Sequence, residues 1–467
     1  MKPFLIKIVK ILGLIAVTIW VNYFGPKFLI SPFYLGVLAA CFFSKDEPFW
    51  LVFFLVISDG FLGFFNNYEA VLSAIPGLPP VEVGHFYIVL TFIKVLKKKP
   101  EEKPFYSSVL GALLVYMIFL VVEGYVVGVS PEMNVQFRII KFILPLLLLY
   151  TIPRLINTEE QFRQVMILFI PFAFLALAAQ IFTISTGLAP SQMMGLYQEL
   201  WFTATLKTSK TYRGFYSTGM VLISFFSALY FIARDTKDFK KVLLYGVVAA
   251  DFLSAFLSAT RGWVLCFTFS TFFFLVFVLK LSARRLGVIA LTVAVALLSL
   301  MSVPVVKKQF TSAFARILTL EALAGGDVTA GGTLERLDDR SPRVVHKWLE
   351  SPLTGWGFSD EFFHYADFHV GNQNILMHSG IIGAALLFLF MVFFHLKLTQ
   401  RSLALPHGHG YKNALLVFPI FFMGWFIIHS TSGQQFQYYD TPGGAIITGF
   451  YLSIGAFTFR KSFQENA

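Results

Sequence analysis

The sequence reads as an all-α, polytopic transmembrane helical bundle of 12–14 spans with one long extracytoplasmic loop, and three observations say so. Hydrophobic residues make up 57% of the 467 and charged residues only 13%, whereas soluble domains carry about a quarter charged residues. The mean hydropathy is +0.71. The apolar residues are also gathered into runs that approach the roughly 20 residues a helix needs to cross about 30 Å of hydrocarbon.

In chain order the runs are 4–22, 28–43, 48–65, 82–97, 105–127, 138–153, 161–187, 213–233, 242–259, 262–280, 286–304, 371–396, 413–430 and 441–459. The first lacks a small-residue cleavage site and reads as a retained span rather than a signal peptide. The stretch from Val242 to Lys280 would be one apolar segment but for Ala259-Thr260-Arg261-Gly262. An arginine at the bilayer centre costs about 2.5–3.5 kcal/mol or more, so the stretch is expected to fold as two helices. Arg261 then lies at the outer turn, and Gly262 is expected to allow the tight reversal. The folding unit is the bundle, so residues 1–467 are expected to form a single membrane domain, with residues 305–370 as a long, partly helical connection.

Charge assigns the faces. The net charge of +11 needs no nucleic acid to explain it, because basic residues crowd alternate connections. One set holds Lys2, Lys7, Lys10 and Lys45, then Lys97 to Lys99 and Lys103, then Arg154 and Arg163, then Arg234, Lys237, Lys240 and Lys241. It continues with Lys280, Arg284 and Arg285, then Lys397, Arg401 and Lys412, and ends at Arg460 and Lys461. The opposite short connections hold only Lys27, Arg138, Lys141, Lys207, Lys210, Arg213 and Arg261. The positive-inside rule then predicts that both termini are cytoplasmic. Two sizeable connections fall outside: residues 187–212, amphipathic around 193–206, and residues 305–370. The second carries Trp348, Trp356, Phe358, Phe362 and Phe363, which predicts a folded, membrane-hugging cap. Cys41 and Cys266 both sit inside apolar runs and read as packing residues.

Four constellations, expected on the outer face, are candidates to carry chemistry. Arg261 is either an interfacial marker of a helical hairpin or a fixed guanidinium fork aimed at a phosphate. Arg213, within Tyr212-Arg213-Gly214-Phe215-Tyr216, is either an interface anchor or a ligand contact. Arg336, Arg340, Arg343 and Lys347 recur at helical spacing and predict one basic face. The plainer reading there is a solvated helix paired with its acidic neighbours. His369, beside Asn372, Gln373 and Asn374, is a candidate general base. No compact spacing supports a zinc site, and Asp338-Asp339 alone is a poor divalent-metal site, so no metal and no cofactor are expected. Asp59, Glu123 and Asp251 fall inside apolar runs and are read as structural.

These pieces, in this order, resemble the O-antigen ligase and O-antigen polymerase family of bacterial inner-membrane glycan transferases, over roughly Leu243 to Phe394 and more weakly over Arg213 to Gly219. Thr260-Arg261-Gly262 stands for the family's Ser-Arg-Gly turn. Arg343, Trp348 and Pro352-Leu353-Thr354-Gly355-Trp356-Gly357-Phe358 stand for its Arg, Trp and Pro-Leu-x-Gly-x-Gly run. His369 stands eleven residues before Gly380-Ile381-Ile382-Gly383, as the family's His-Asn pair does. Val370 replaces the usual Asn, with Asn372 and Asn374 close by.

The resemblance implies a GT-C-like bundle that transfers a glycan from an undecaprenyl-diphosphate donor to lipid A core or to another lipid-linked glycan. The chemistry would be metal-independent and inverting, at the periplasmic face. His369 would be the base, Arg261 catalytic, and Arg213, Arg343, Arg340, Asn372, Asn374 and Trp348 substrate-binding. The implied partners are the lipid-linked donor, a glycan or glycolipid acceptor, and the bilayer. The rival is a flippase or transporter of lipid-linked glycans or another anion, which should place charges inside its spans and should lack a long outer loop. A scaffold of envelope assembly, with the aromatic loop as its docking surface, is the third reading.

Overall fold

The structure is a computed structural model. It describes all residues except 1, 66–70, 73–80, 98–102, 195–216, 236–238, 320, 323–324, 328–334, 368–369, 432–441 and 465–467, and omits the side chains of 2–3, 71–72, 316, 335–338 and 427–431. The described helices are α1 (Lys2–Tyr23), α2 (Ile30–Phe43), α3 (Glu47–Ser58), α4 (Val83–Leu96), α5 (Ser107–Val127), α6 (Met133–Ile143) and α7 (Leu147–Leu155). They continue with α8 (Glu159–Thr186), α9 (Pro190–Met193), α10 (Thr218–Arg234), α11 (Lys241–Leu257), α12 (Arg261–Phe273), α13 (Ala283–Leu300) and α14 (Pro304–Leu318). The last are α15 (Glu335–Glu350), α16 (Asp360–Tyr365), α17 (Gln373–Ala404), α18 (Lys412–Thr431) and α19 (Pro442–Gln464). The only described strands are Val71–Leu72 and Val81–Glu82, a two-residue antiparallel ladder.

The chain is therefore an all-α, multi-pass membrane protein. Helix forms the body of every apolar run read from the sequence. Among the described residues, eight helices are long and apolar enough to cross a bilayer, and five shorter ones are apolar. The shortest of these, Glu47–Ser58, has 12 residues, a rise of about 18 Å at 1.5 Å per residue.

Contacts divide the chain into two compact units, one of residues 1–103, 144–258 and 439–467, the other of 104–143 and 259–438. In the first, α3 packs against α1, α4, α8, α10 and α19, and every residue from Trp50 to Ile57 is buried. A helix apolar all round and covered all round is a core helix, so the shortness of α3 suits its place. α10 is similar, with Gly219 to Ala233 all buried. α8 begins in a capping box, where Thr158 and Gln161 satisfy each other's backbone N–H.

Three polar contacts join helices within this unit. Lys94 Nζ lies 2.6 Å from Glu47 Oε1 and donates to the carbonyls of Cys41 and Ser44 at 3.0 Å each, so one ammonium joins α4 to the ends of α2 and α3. Asp59 accepts from the N–H groups of Gly219 and Met220 at 3.0 Å each. It thus supplies the anion that the N-terminus of α10 favours. Asp251 Oδ2 meets Ser224 Oγ at 2.7 Å across α10 and α11.

In the second unit α12 packs on α18, α17 on α5 and α18, and α15 on α17. α13 has no buried residue, which suits a lipid-facing span. One local expectation is corrected. The left-handed residue before α12 is Ala259, at φ +50°, while Gly262 lies inside the first helical turn and makes no reversal. Ala259 is 0% exposed. A non-glycine residue at positive φ is uncommon, and here enclosure holds it.

Candidate active site

The described residues between 335 and 380 of the second unit build a small folded cap whose core is Val344 of α15, Phe362 of α16, Val370, and Met377 of α17. Trp348, Trp356, Phe363, Tyr365 and Ala366 pack against that core. The described parts of this segment are helical at Glu335–Glu350 and Asp360–Tyr365.

The Pro-Leu-x-Gly-x-Gly run is the clasp of this cap. α17 breaks at Gly380, at φ 58° and ψ −169°, a backbone region essentially closed to other residues. The break frees N–H groups on one side and carbonyls on the other, and residues 352–358 answer both. Ile381 N–H donates to Pro352 O at 2.9 Å and Ile382 N–H to Leu353 O at 3.1 Å. In return Trp356 N–H donates to Met377 O and Gly357 N–H to His378 O, each at 2.9 Å. Phe358 N–H reaches across to Leu120 O of α5 at 3.1 Å. Such backbone-to-backbone approach leaves no room for side chains. A Cβ at Gly355 would stand 2.5 Å from His378 O, and one at Gly357 2.5 Å from Leu120 O. Around the clasp, Tyr116 Oη donates to Ser379 O at 2.9 Å, and the Glu123 carboxylate is hydrogen-bonded by Thr354. Glu123 is therefore structural in its visible contacts.

α15 is fixed by its C-terminal half. Lys347 Nζ lies 2.8 Å from Glu350 and 2.7 Å from Glu361 and 3.8 Å from the centre of the Trp356 ring. Trp356 Nε1 donates to Lys347 O at 2.7 Å. Partial burial lowers the Lys347 pKa, but the two carboxylates more than offset this, so it stands above the ordinary lysine value. Lys347 is thus a pin, and of the four residues read as one basic face only Arg340 and Arg343 are seen turned elsewhere; the Arg336 side chain lies outside the described residues. Toward α17, Ser341 Oγ donates to Gln373 Oε1 at 2.6 Å.

Arg340 and Arg343, with side chains 47% and 50% exposed, face the same carboxylate. Arg340 Nη1 lies 3.6 Å from Asp367 Oδ1, and Arg343 Nη2 lies 3.7 Å from Asp367 Oδ2, which is 12% exposed. Asp367 was not singled out in the sequence; its only signal there is an acid two residues before a candidate base. Its backbone is held by Asn374, whose Oδ1 accepts from Asp367 N–H at 3.1 Å and whose Nδ2 donates to Asp367 O. Asn374 thus ties the Asp367 backbone to the start of α17. Asn374 is 4% exposed, and its amide is engaged with this backbone. Asn372 caps α17.

Trp348 Nε1 donates to Pro352 O at 3.2 Å, which ties it to the clasp. Arg261 opens α12 and donates to Thr319 Oγ1, just past α14, at 3.1 Å. Arg138 of α6, passed over in the sequence, stacks on the cap with its guanidinium carbon 4.4 Å from the Phe363 ring centre. His378 is fully buried, 4.4 Å in ring-centre distance from both Phe358 and Phe362, a setting for packing rather than proton transfer with solvent. His369 and Arg213 lie outside the described residues. Among the described residues no three His, Cys, Asp or Glu side chains are grouped as a metal site requires.

No family model matches the chain, and no curated protein matches it. It is similar to a chain of a solved peptidoglycan synthase complex described for the structural coordination of polymerization and crosslinking. That likeness spans 76% of this chain and 98% of the other, at 15% identity and a TM-score of 0.39. An overlap that low determines neither the topology nor the activity of the present chain.

Proposed function

We infer that this protein transfers a glycan from an undecaprenyl-diphosphate carrier to a hydroxyl of an acceptor, either lipid A core or a second lipid-linked glycan, at the periplasmic face of a bacterial inner membrane, with both termini cytoplasmic. The observation that carries the reading is the pair Arg340 and Arg343. Two half-exposed guanidiniums stand one turn apart on a pinned helix, facing a single carboxylate, Asp367, that precedes His369 by two residues in the sequence. Planar, permanently charged forks suit phosphate oxygens.

The acceptor oxygen attacks the anomeric carbon as the bond from that carbon to the diphosphate oxygen breaks, and the configuration inverts. His369 takes the hydroxyl proton, and the bond electrons leave with the lipid diphosphate. Arg261, Arg213, Arg343 and Arg340 balance the charge that grows on this leaving group, so the arginines take the place a metal ion fills elsewhere. Asn372, Asn374 and Trp348 line or shape the sugar site. Positioned proton transfer typically contributes 10²–10⁴-fold, so His369→Ala should slow transfer by about that factor.

The test is reconstitution of the purified chain with a lipid-linked glycan and an acceptor, following loss of donor and growth of product. Wild-type rates in both His369→Ala and Arg261→Ala would refute the mechanism. A deletion strain separates the two acceptors: a ligase mutant accumulates lipid-linked polymer, and a polymerase mutant shows single repeat units.

A further inference from the structure

The buried carboxyl groups of the first unit are not alike. Glu47 faces the Lys94 ammonium at 2.6 Å, and Asp59 accepts two backbone N–H groups at 3.0 Å each. Both are met by groups that stabilise an anion. Asp251 of α11 is not. It is 0% exposed, and its Oδ1 is buried with no hydrogen-bond partner among the described residues. Its Oδ2 meets the Ser224 hydroxyl of α10 at 2.7 Å.

The helices packed on α11 bring no cation to that depth. α11 packs against α8 and α10. The titratable groups of α10 are Tyr230, whose hydroxyl is bonded with Thr458 at 2.9 Å, and Arg234. Arg234 stands ten residues past Ser224, about 15 Å along the helix, and lies 3.6 Å from Glu159. α8 carries Glu159, Glu160 and Arg163 at its start, with Arg163 2.6 Å from Glu160. On α11 itself Lys241 lies 2.7 Å from Asp235, and Tyr245 is exposed.

Counting protons decides the form of the acid. Ser224 Oγ also lies 3.1 Å from Val221 O, one turn back on α10, in donor geometry. A hydroxyl has one proton and two lone pairs, so Ser224 cannot donate to Val221 O and to Asp251 Oδ2 together. If it donated to an ionised Asp251, its oxygen would face Val221 O lone pair to lone pair. A charge at the depth of a span would then hold a single donor, which is a costly arrangement. A proton on Oδ2 satisfies both contacts: Asp251 donates to Ser224, and Ser224 donates to Val221.

We propose that Asp251 is a proton-binding site within the first unit: it is held as the neutral carboxylic acid, donates from Oδ2 to Ser224 Oγ, and so ties α11 to α10 without burying a charge. The site is independent of the glycan-transfer reading, since no step of that reaction uses Asp251 or Ser224. The tie depends on the proton. Without it Ser224 must turn from Val221 O to the carboxylate, and the contact between the two helices changes from a neutral relay to a lone buried anion.

Infrared spectra of the full-length protein in detergent micelles at neutral pH test this. The difference between wild type and Asp251→Asn should show the carbonyl stretch of a protonated carboxylic acid in the wild type, with the carboxylate bands unchanged. Loss of a carboxylate band in place of an acid band would overturn the proposal, as would the absence of both. Ser224→Ala reads the same band with Asp251 intact, should the amide variant misfold. Removing the acceptor is expected to move the acid band to higher frequency. Ser227→Ala, a buried hydroxyl on the next turn of α10, is expected to leave the band in place. A band that Ser224→Ala leaves unmoved, or that Ser227→Ala moves equally, would refute donation to Ser224.

Discussion

Replacing Gly380 by alanine tests the clasp on which the cap depends. At φ 58° and ψ −169° a residue with a Cβ stores about 1–3 kcal/mol of backbone strain. Sterics add to it, because the new Cβ would stand 2.1 Å from Leu353 O and 2.5 Å from Thr354 N. Both are backbone atoms, so relief requires residues 352–354 to retreat by about an ångström. That retreat breaks the bonds from Ile381 N–H to Pro352 O and from Ile382 N–H to Leu353 O, each worth about 0.5–1.5 kcal/mol. Gly380→Ala should therefore destabilise by about 3–5 kcal/mol. Thermal unfolding in detergent, followed by tryptophan emission, measures it. Gly111→Ala is the control, since a Cβ there meets nothing within 4 Å and the change should be neutral or slightly stabilising. Limited proteolysis between Pro352 and Phe358 should rise in the Gly380 variant alone. If Gly380→Ala unfolds within 1 kcal/mol of the Gly111 control and resists protease equally, the clasp does not hold the broken helix and the reasoning fails.

Further tests follow from single contacts. Asp59→Ala removes two charge-assisted acceptors from the first amides of α10 and should lower stability by about 2–3 kcal/mol, read as a fall in Tm. Asn374→Leu leaves the Asp367 N–H and C=O without their side-chain partner; a loss of about 1–3 kcal/mol in stability, read as a fall in Tm, and slower transfer are expected. Lys347→Met should loosen α15 by about 1–2 kcal/mol, since both carboxylates and the Trp356 ring lose their cation. The folded-state pKa of Lys347 is raised, so the ion-pair contribution is fully present below the ordinary lysine value and is lost only as pH rises past the raised one. The difference in stability between wild type and Lys347→Met should therefore be flat from pH 6 to 9 and shrink only in strong alkali.

What the sequence makes legible is what periodicity and composition control. The apolar runs become helices because about 20 apolar residues leave the backbone no partner but itself. The helical recurrence of Arg340, Arg343 and Lys347 becomes a helix, and the aromatics around it become its core. Less visible is which charges face each other. Lys347 and Arg343 look alike in a list of basic residues, yet one is pinned between Glu350 and Glu361 and the other stands half-exposed. That difference is set by Glu361 and Asp367, whose approach depends on the break at Gly380, which no local pattern announces. The turn falls at Ala259 rather than Gly262 for a related reason: propensity favours glycine, and burial overrides it.

The glycine run and the charged edge are one mechanical unit. A helix broken near its N-terminal end exposes carbonyls and amides that water or another strand of backbone must satisfy. Residues 352–358 do so with five described bonds to or from 377–382 at 2.9–3.2 Å, and this fixes where the chain leaves for Phe358, α16 and Asp367. Because Asp367 is tied to Asn374 on the N-terminal half of the same broken helix, the carboxylate and the clasp share a single foundation. The arginines of α15 rest on it too, through Trp356, whose N–H bonds Met377 O while its indole bonds Lys347 O. A change at Gly355, Gly357 or Gly380 should therefore act on anion binding as well as on stability, although none of the three presents an atom to a ligand. Side chains around the edge can be exchanged one at a time; the backbone clasp beneath them cannot.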